Sequence, residues 1–398
     1  MPQLPAPRSE PDPPGAPVPP EVARLLTPEP ALARRSGGRD RSLDMLRGAA
    51  VVVMVVDHLV GHSWLHQATL GTLYVTAAEG FVFCSGLALG QRCAQRLARS
   101  GLGGVATAAW RRALLLWGCA SVLLVAVGTL AWAVPGAGRP VFEAPPPGLL
   151  QLWVGALTLQ LAPPLLDILP MYVGFLALTP FLAALAARGA WPIALGLSAL
   201  AWGVNWLEPY ALSTPPLDRD GRTYFPLASW QVLFVVTFLA GWHREQLTRA
   251  WAWVPPVGWA LSGGLITVAL AVAAGHDATL GAWPATSPER ASWLAATDRS
   301  LLGPLRLMAV AAFFPLAWRG LEVGGERLAA WLGPALLPLG RHALYAYLMH
   351  IPLVLGWTAW VAPRLGGQAW LATLGQLAVV AALIAMVRRR WLFTWVPS

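Results

Sequence analysis

Arg47-Gly48-Ala49-Ala50-Val51-Val52-Val53-Met54-Val55-Val56-Asp57-His58 joins an arginine to an Asp-His pair through an unbroken run of small and apolar residues. An ionisable group near the centre of a membrane helix costs at least ~2.5–3.5 kcal/mol, so such groups mark a pathway, a proton relay or a catalytic site. His58 follows Arg47 by eleven residues. That is close to three turns of an α-helix, which places both side chains on one stripe with roughly 16 Å between their Cα atoms. One helix face therefore links the membrane surface to its interior.

The rest of the chain fits the same medium. Hydrophobic residues make up 56% and charged residues 12%, and apolar runs of spanning length recur, which predicts an all-α polytopic membrane protein. A net charge of +9 in a soluble domain would suggest nucleic acid. Here the arginines flank apolar segments and read as topology signals, so no nucleic-acid partner is expected. All 28 basic residues are Arg, a usage that fits a GC-rich genome rather than a chemical need. Residues 1–43 are Pro-rich and poor in large apolar side chains, and read as a disordered cytoplasmic tail without a signal-peptide core or a cleavage site. Residues 44–390 form the membrane domain and 391–398 a short second tail. Cys84, Cys93 and Cys119 lie in or beside apolar segments, with no disulfide framework and no metal-ligand spacing.

The apolar runs give about ten spans, at roughly 45–62, 71–91, 111–134, 168–187, 190–207, 229–243, 255–274, 301–318, 341–361 and 369–387. The run Leu149 to Leu161 stops at Pro163-Pro164 and is short, so it is assigned to the interface or to a re-entrant segment. With the N-terminus inside, Arg92, Arg96, Arg99, Arg111, Arg112, Arg188, Arg244, Arg249, Arg319, Arg327 and Arg388 to Arg390 share the inner face. Arg139, Arg219, Arg222, Arg290, Arg299 and Arg364 fall outside. This asymmetry predicts a protein of the cytoplasmic (inner) membrane with both termini cytoplasmic.

Glu79 lies in span two, about 19 Å from its inner end near Arg92, a depth close to that of His58. Gly86 and Gly90 form a small-xxx-small pair that lets this span approach a neighbour, span one being the expected partner. His350, nine residues beyond Arg341, would sit about 13 Å above the inner surface, facing the same cavity or packed as a satisfied core histidine. Arg306 near the outer end of span eight is placed either to bind an anionic acceptor group or to snorkel. Trp230 and Gln231 stand where belt residues are expected, and with Asp167 they are also candidates to line the acceptor cavity. Asp167 before Ile168-Leu169-Pro170 reads as a helix N-cap.

These segments resemble a family. Arg39-Asp40-Arg41-Ser42-Leu43-Asp44-Met45-Leu46-Arg47-Gly48, then Asp57-His58, then Glu79-Gly80-Phe81-Val82-Phe83-Cys84-Ser85-Gly86 are similar to the N-terminal signature of the OpgC proteins, which resemble the wider acyltransferase-3 superfamily. The likeness continues at Leu166 to Tyr172, Ser229 to Phe234 and Gly340 to Tyr345. It implies an acyltransferase-3-like membrane fold and O-succinylation of osmoregulated periplasmic glucans.

The chemistry of the residues agrees with acyl transfer. Carrying an acyl group from a cytoplasmic thioester to an extracytoplasmic hydroxyl needs a base beside the hydroxyl, a path through the bilayer and an anion-binding mouth for the donor. His58 is the expected base, with Asp57 or Glu79 orienting its ring. Arg47 with Arg92, Arg96, Arg111 and Arg112 would hold the phosphates of acyl-CoA, the co-substrate. Membrane lipid and a glycan acceptor complete the expected partners, and no bound cofactor is expected. A proton-coupled transporter or exporter of a glycan or lipid-linked sugar also fits buried charges, although no internal repeat with paired broken helices is visible.

Overall fold

The computed structural model describes residues 40–59, 61, 63–69, 75–134, 141–142, 148–161, 163–212, 225–247, 258–261, 263–264, 266, 284 and 286–397. The decisive stretch forms helix α1, Arg41–His58. Its valine-rich core has high strand propensity, but the helix satisfies every backbone N–H and C=O within the segment, as an apolar surrounding demands. It ends at Leu59, whose amide still bonds back to Val55, and the chain turns at Gly61 with φ +145°.

A short helix, α2 (Trp64–Thr69), leads to α3, Ala77–Ala133. At 57 residues α3 would be about 85 Å long if straight, far beyond the ~30 Å hydrocarbon core. It is two helical halves joined at Gly101, whose φ of +63° breaks the helix. The arginine-bearing connection expected between spans two and three is thus helical right up to that glycine. Helix α4, Leu149–Leu157, has nine residues and reaches only ~14 Å, too short to cross. It is pinned to the second half of α3 by Trp117 Nε1 donating to the Leu157 carbonyl (2.8 Å) and Ser121 Oγ donating to that of Ala156 (3.0 Å).

Then come α5 (Ile168–Ala187), α6 (Trp191–Leu207), α7 (Leu227–Trp242), α8 (Pro288–Thr297), α9 (Pro304–Trp331), α10 (Gly333–Arg341), α11 (Ala343–Gly356) and α12 (Ala369–Arg388). A π-turn, Trp357–Val361, and a 3₁₀ turn, Ala362–Arg364, extend α11. By length and composition, five helical stretches among the described residues are apolar and long enough to cross a membrane: 77–133, 168–187, 304–331, 343–364 and 369–388. The described residues contain helices and no strands. Exposed Leu114, Val122, Phe181, Leu197, Leu200 and Leu374 are what a lipid-facing surface requires. The protein is an all-helical, multi-pass membrane protein. Most of the expected span 255–274, and nearly all of the tail 1–43, lie outside the described residues; α1 already begins at Arg41, inside the segment expected as tail.

Two apolar clusters share the interior. One gathers α1, α11, α12 and the second half of α3; the other gathers the first half of α3 with α5, α7 and α9. The close approach expected of Gly86 and Gly90 is made to α7, where a Cβ would strike Thr237 and the Phe238 carbonyl, and not to α1. Helix α1 instead meets α10 backbone to backbone: a Cβ at Gly48 would collide with the Leu336 carbonyl and one at Gly340 with that of Asp44.

Candidate active site

His58 is the last residue of α1 and His350 lies midway along α11, and the fold sets the two rings side by side. Their ring centroids are 5.2 Å apart, and His58 Nδ1 is 3.1 Å from His350 Nε2. His350 is fully buried, and its Nδ1 bonds to the backbone carbonyl of Tyr347. That carbonyl can only accept, so His350 carries its proton on Nδ1 and, as a neutral ring, exposes a lone pair on Nε2. His58 must then donate from Nδ1, which leaves its own Nε2 as the basic nitrogen. These tautomers follow from the hydrogen-bond network.

The end of α1 is held firmly. Gln376 of α12 donates from Nε2 to the Leu59 carbonyl (3.0 Å) and accepts from Ser63 Oγ (2.7 Å). A glutamine inside an apolar span is costly unless its amide is satisfied, and here it fastens the turn that follows His58. Sequence reasoning passed over Gln376; its signal was the polar amide in the run 369–387.

Neither expected carboxylate is hydrogen-bonded to His58 among the described residues. Asp57 is rotated about 100° round the helix from His58. Its carboxylate accepts from Thr69 Oγ1 (2.6 Å) and stands 3.8 Å from His66 Nδ1, so it ties α1 to α2. Glu79 is engaged elsewhere. One oxygen accepts from Arg306 Nε at 2.6 Å; the other accepts from the Thr76 amide (2.9 Å) and from the Thr76 hydroxyl, closing a capping box at the start of α3. Glu79 is fully buried and Arg306 nearly so, with Arg306 Nη2 lacking a partner among the described residues. Arg306 therefore neither snorkels nor meets solvent; it joins α9 to α3. The ring nitrogen that faces His58 Nδ1 belongs to His350.

At the other end of α1, Arg47 is mostly buried. It donates to Asp44 Oδ1 (3.3 Å) and to the Cys84 carbonyl of α3 (3.1 Å), beside the Ser85–Tyr172 hydroxyl pair (3.1 Å). Arg92, Arg96, Arg111 and Arg112 lie exposed on α3 on either side of Gly101. Trp230 Nε1 donates to the Ser300 carbonyl (2.9 Å), holding α7 to the turn before α9, and Gln231 exchanges bonds with Ser198 of α6 (2.6 and 2.8 Å). Asp167 occupies the N-cap position of α5 without making a side-chain cap bond. It is buried, which pushes its carboxyl up to about 7, and it lies within electrostatic reach of Tyr347 and Arg299.

In the sequence Arg299 stands out only as an outer-loop arginine. It also acts electrostatically on Asp57 and His58. The available signal was its exception to the inner bias of arginine, immediately after Asp298. The three cysteines are free thiols.

A family model described as OpgC protein matches residues 39–396. No curated protein and no solved structure matches.

Proposed function

The chain belongs to the OpgC family, and from that premise we propose that it is an integral membrane O-acyltransferase that moves an acyl group from cytoplasmic acyl-CoA to a hydroxyl of an extracytoplasmic glycan. Resemblance to the family suggests a succinyl group and a glucan acceptor. The reading places about ten spans in the inner membrane, an acyltransferase-3-like arrangement and both termini in the cytoplasm, supported by the distribution of arginines.

The observation that carries the reading is the His58–His350 pair at one end of a helix whose other half holds Arg47. His58 Nε2 removes the proton of the acceptor hydroxyl as its oxygen attacks the thioester carbonyl. The new C–O bond forms, the C–S bond breaks, and the imidazolium returns the proton to the departing thiolate. Ester and free thiol result, and His58 is neutral again. His350 is a positioning residue: its Nε2 accepts the His58 Nδ1 proton throughout and so supports the positive ring, the part an acidic partner plays in a hydrolase triad. Asp57 and Arg299 stand at the acceptor side of this pair, and Arg47 lies on the donor side. Glu79 and Arg306 act through the fold rather than on substrate.

Purified protein in lipid nanodiscs, incubated with radiolabelled succinyl-CoA and a glucan acceptor, should place label in the glucan as an alkali-labile ester. Absence of labelled ester together with proton-linked movement of glycan in sealed vesicles would establish an exporter instead.

A further inference from the structure

At the end of α1 that carries Arg47, α9, α10 and α12 enclose an open cleft of about 440 Å³. Arg341, His342, Arg388 and Arg390 line it together with small and apolar residues of α9 and α10. The volume falls within the ~300–1,000 Å³ of small-molecule and cofactor sites. Two of these arginines make contacts across it. Arg388 donates to the Pro334 carbonyl across the cleft, and Arg341 Nε stands 3.9 Å from Asp44, the same carboxylate that Arg47 holds. Beyond α12 the chain turns at Arg390 (φ +51°) and folds back, with Tyr345 bonding to the Trp391 carbonyl (2.6 Å) and Phe393 packing on His342 and Tyr345.

The inner-loop rule accounts for arginines on this face but not for their convergence on a cavity. Guanidinium forks suit phosphate oxygens, and a wall of three with apolar ground between them suits a phosphorylated nucleotide. We propose that this cleft binds the adenosine 3′,5′-bisphosphate end of the acyl-CoA donor, with Arg341, Arg388 and Arg390 on its phosphates. This rests on the acyltransferase reading, and it moves the main donor contacts from the exposed α3 arginines to the far side of α1.

The test compares acyl-CoA with the matching acyl-pantetheine, which lacks the nucleotide, on the full-length protein. It adds a direct titration with adenosine 3′,5′-bisphosphate. Arg388→Gln with Arg390→Gln, and Arg390→Gln alone in case the pair fails to insert, should cut the preference for acyl-CoA by about tenfold or more through KM. The same variants should weaken bisphosphate binding to a similar degree. Wild-type preference for acyl-CoA and bisphosphate affinity both surviving in well-inserted variants would overturn the assignment and return the donor to Arg92, Arg96, Arg111 and Arg112. Were the wild type to transfer from neither donor, the acyltransferase reading would fail separately: bisphosphate binding lost in the variants would still uphold the cleft, and bisphosphate binding absent from the wild type would overturn it.

Discussion

Replacing His350 by Leu keeps most of the buried volume but removes the acceptor that fixes the His58 tautomer. The ring is fully buried and its Nε2 is 3.1 Å from His58 Nδ1, so the change strips one neutral hydrogen bond, worth ~0.5–1.5 kcal/mol. That alone slows turnover by about 2- to 13-fold. Letting the proton settle on either nitrogen and the ring drift adds to it. The ceiling is the whole general-base contribution of ~10²–10⁴, because His350 acts only through His58. The expected fall in kcat is therefore on the order of 10–10³, with KM for the donor nearly unchanged. His350→Gln supplies an amide oxygen that can accept from His58 Nδ1 and should recover kcat to within about tenfold of wild type. The assay is steady-state transfer of labelled acyl groups to glucan by nanodisc-reconstituted protein, with insertion checked by gel filtration. Full kcat in His350→Leu, or equal losses in the Leu and Gln variants, would refute the tautomer argument.

Breaking the buried Glu79–Arg306 pair should be a stability defect. Glu79→Gln or Arg306→Met alone leaves a buried charge uncompensated and should cost about 3–5 kcal/mol, with much of it regained in the double variant by thermal unfolding; independent, additive losses would show that the pair is not coupled. Burial raises the Asp167 carboxyl from 3.8 to about 7, so the folded state holds the proton more tightly than the unfolded one. Stability is then present at low pH and lost as pH rises toward about 7. Wild type should melt lower at about pH 7 than at about pH 5, and Asp167→Asn should lose that slope; identical slopes in the two proteins would contradict it. Reporter fusions after Arg249 and at the C-terminus should report cytoplasm and one near Asp218 the outside, positions 218 and 249 lying outside the described residues; an external C-terminus would break the ten-span arrangement.

The membrane class was legible because apolar runs of spanning length leave few alternatives. Boundaries were sharpest where the sequence carries its own stops. The span expected at 168–187 is Ile168–Ala187, between Asp167 and Arg188-Gly189, and the one at 369–387 is Ala369–Arg388. Boundaries were poorest where helix-forming residues continue past the apolar run. Arg, Ala and Leu carry α3 from the second span to Gly101 and onward, and α9 continues beyond 318 through the Arg319–Glu322 pair (3.1 Å). In the site, helical rise supplied depth but not azimuth. His58 and His350 were placed at similar heights, yet nothing local tells that two residues 292 apart in sequence share a hydrogen bond. Glu79 was expected beside His58, and its carboxylate goes instead to Arg306 at the start of α9. Arg341 and Arg388 to Arg390 were visible as inner-face charge; their convergence on one cleft depends on α10 crossing α1 at two glycines, which only packing reveals.

The central claim is that His58 is the base for acyl transfer, and single-turnover transfer by His58→Ala tests it most directly. With acyl-CoA bound and glucan in excess, the variant should insert and bind donor as wild type does, yet form ester on the order of 10²–10⁴ more slowly. Ester formation at near-normal rate by a well-inserted His58→Ala protein would contradict the account.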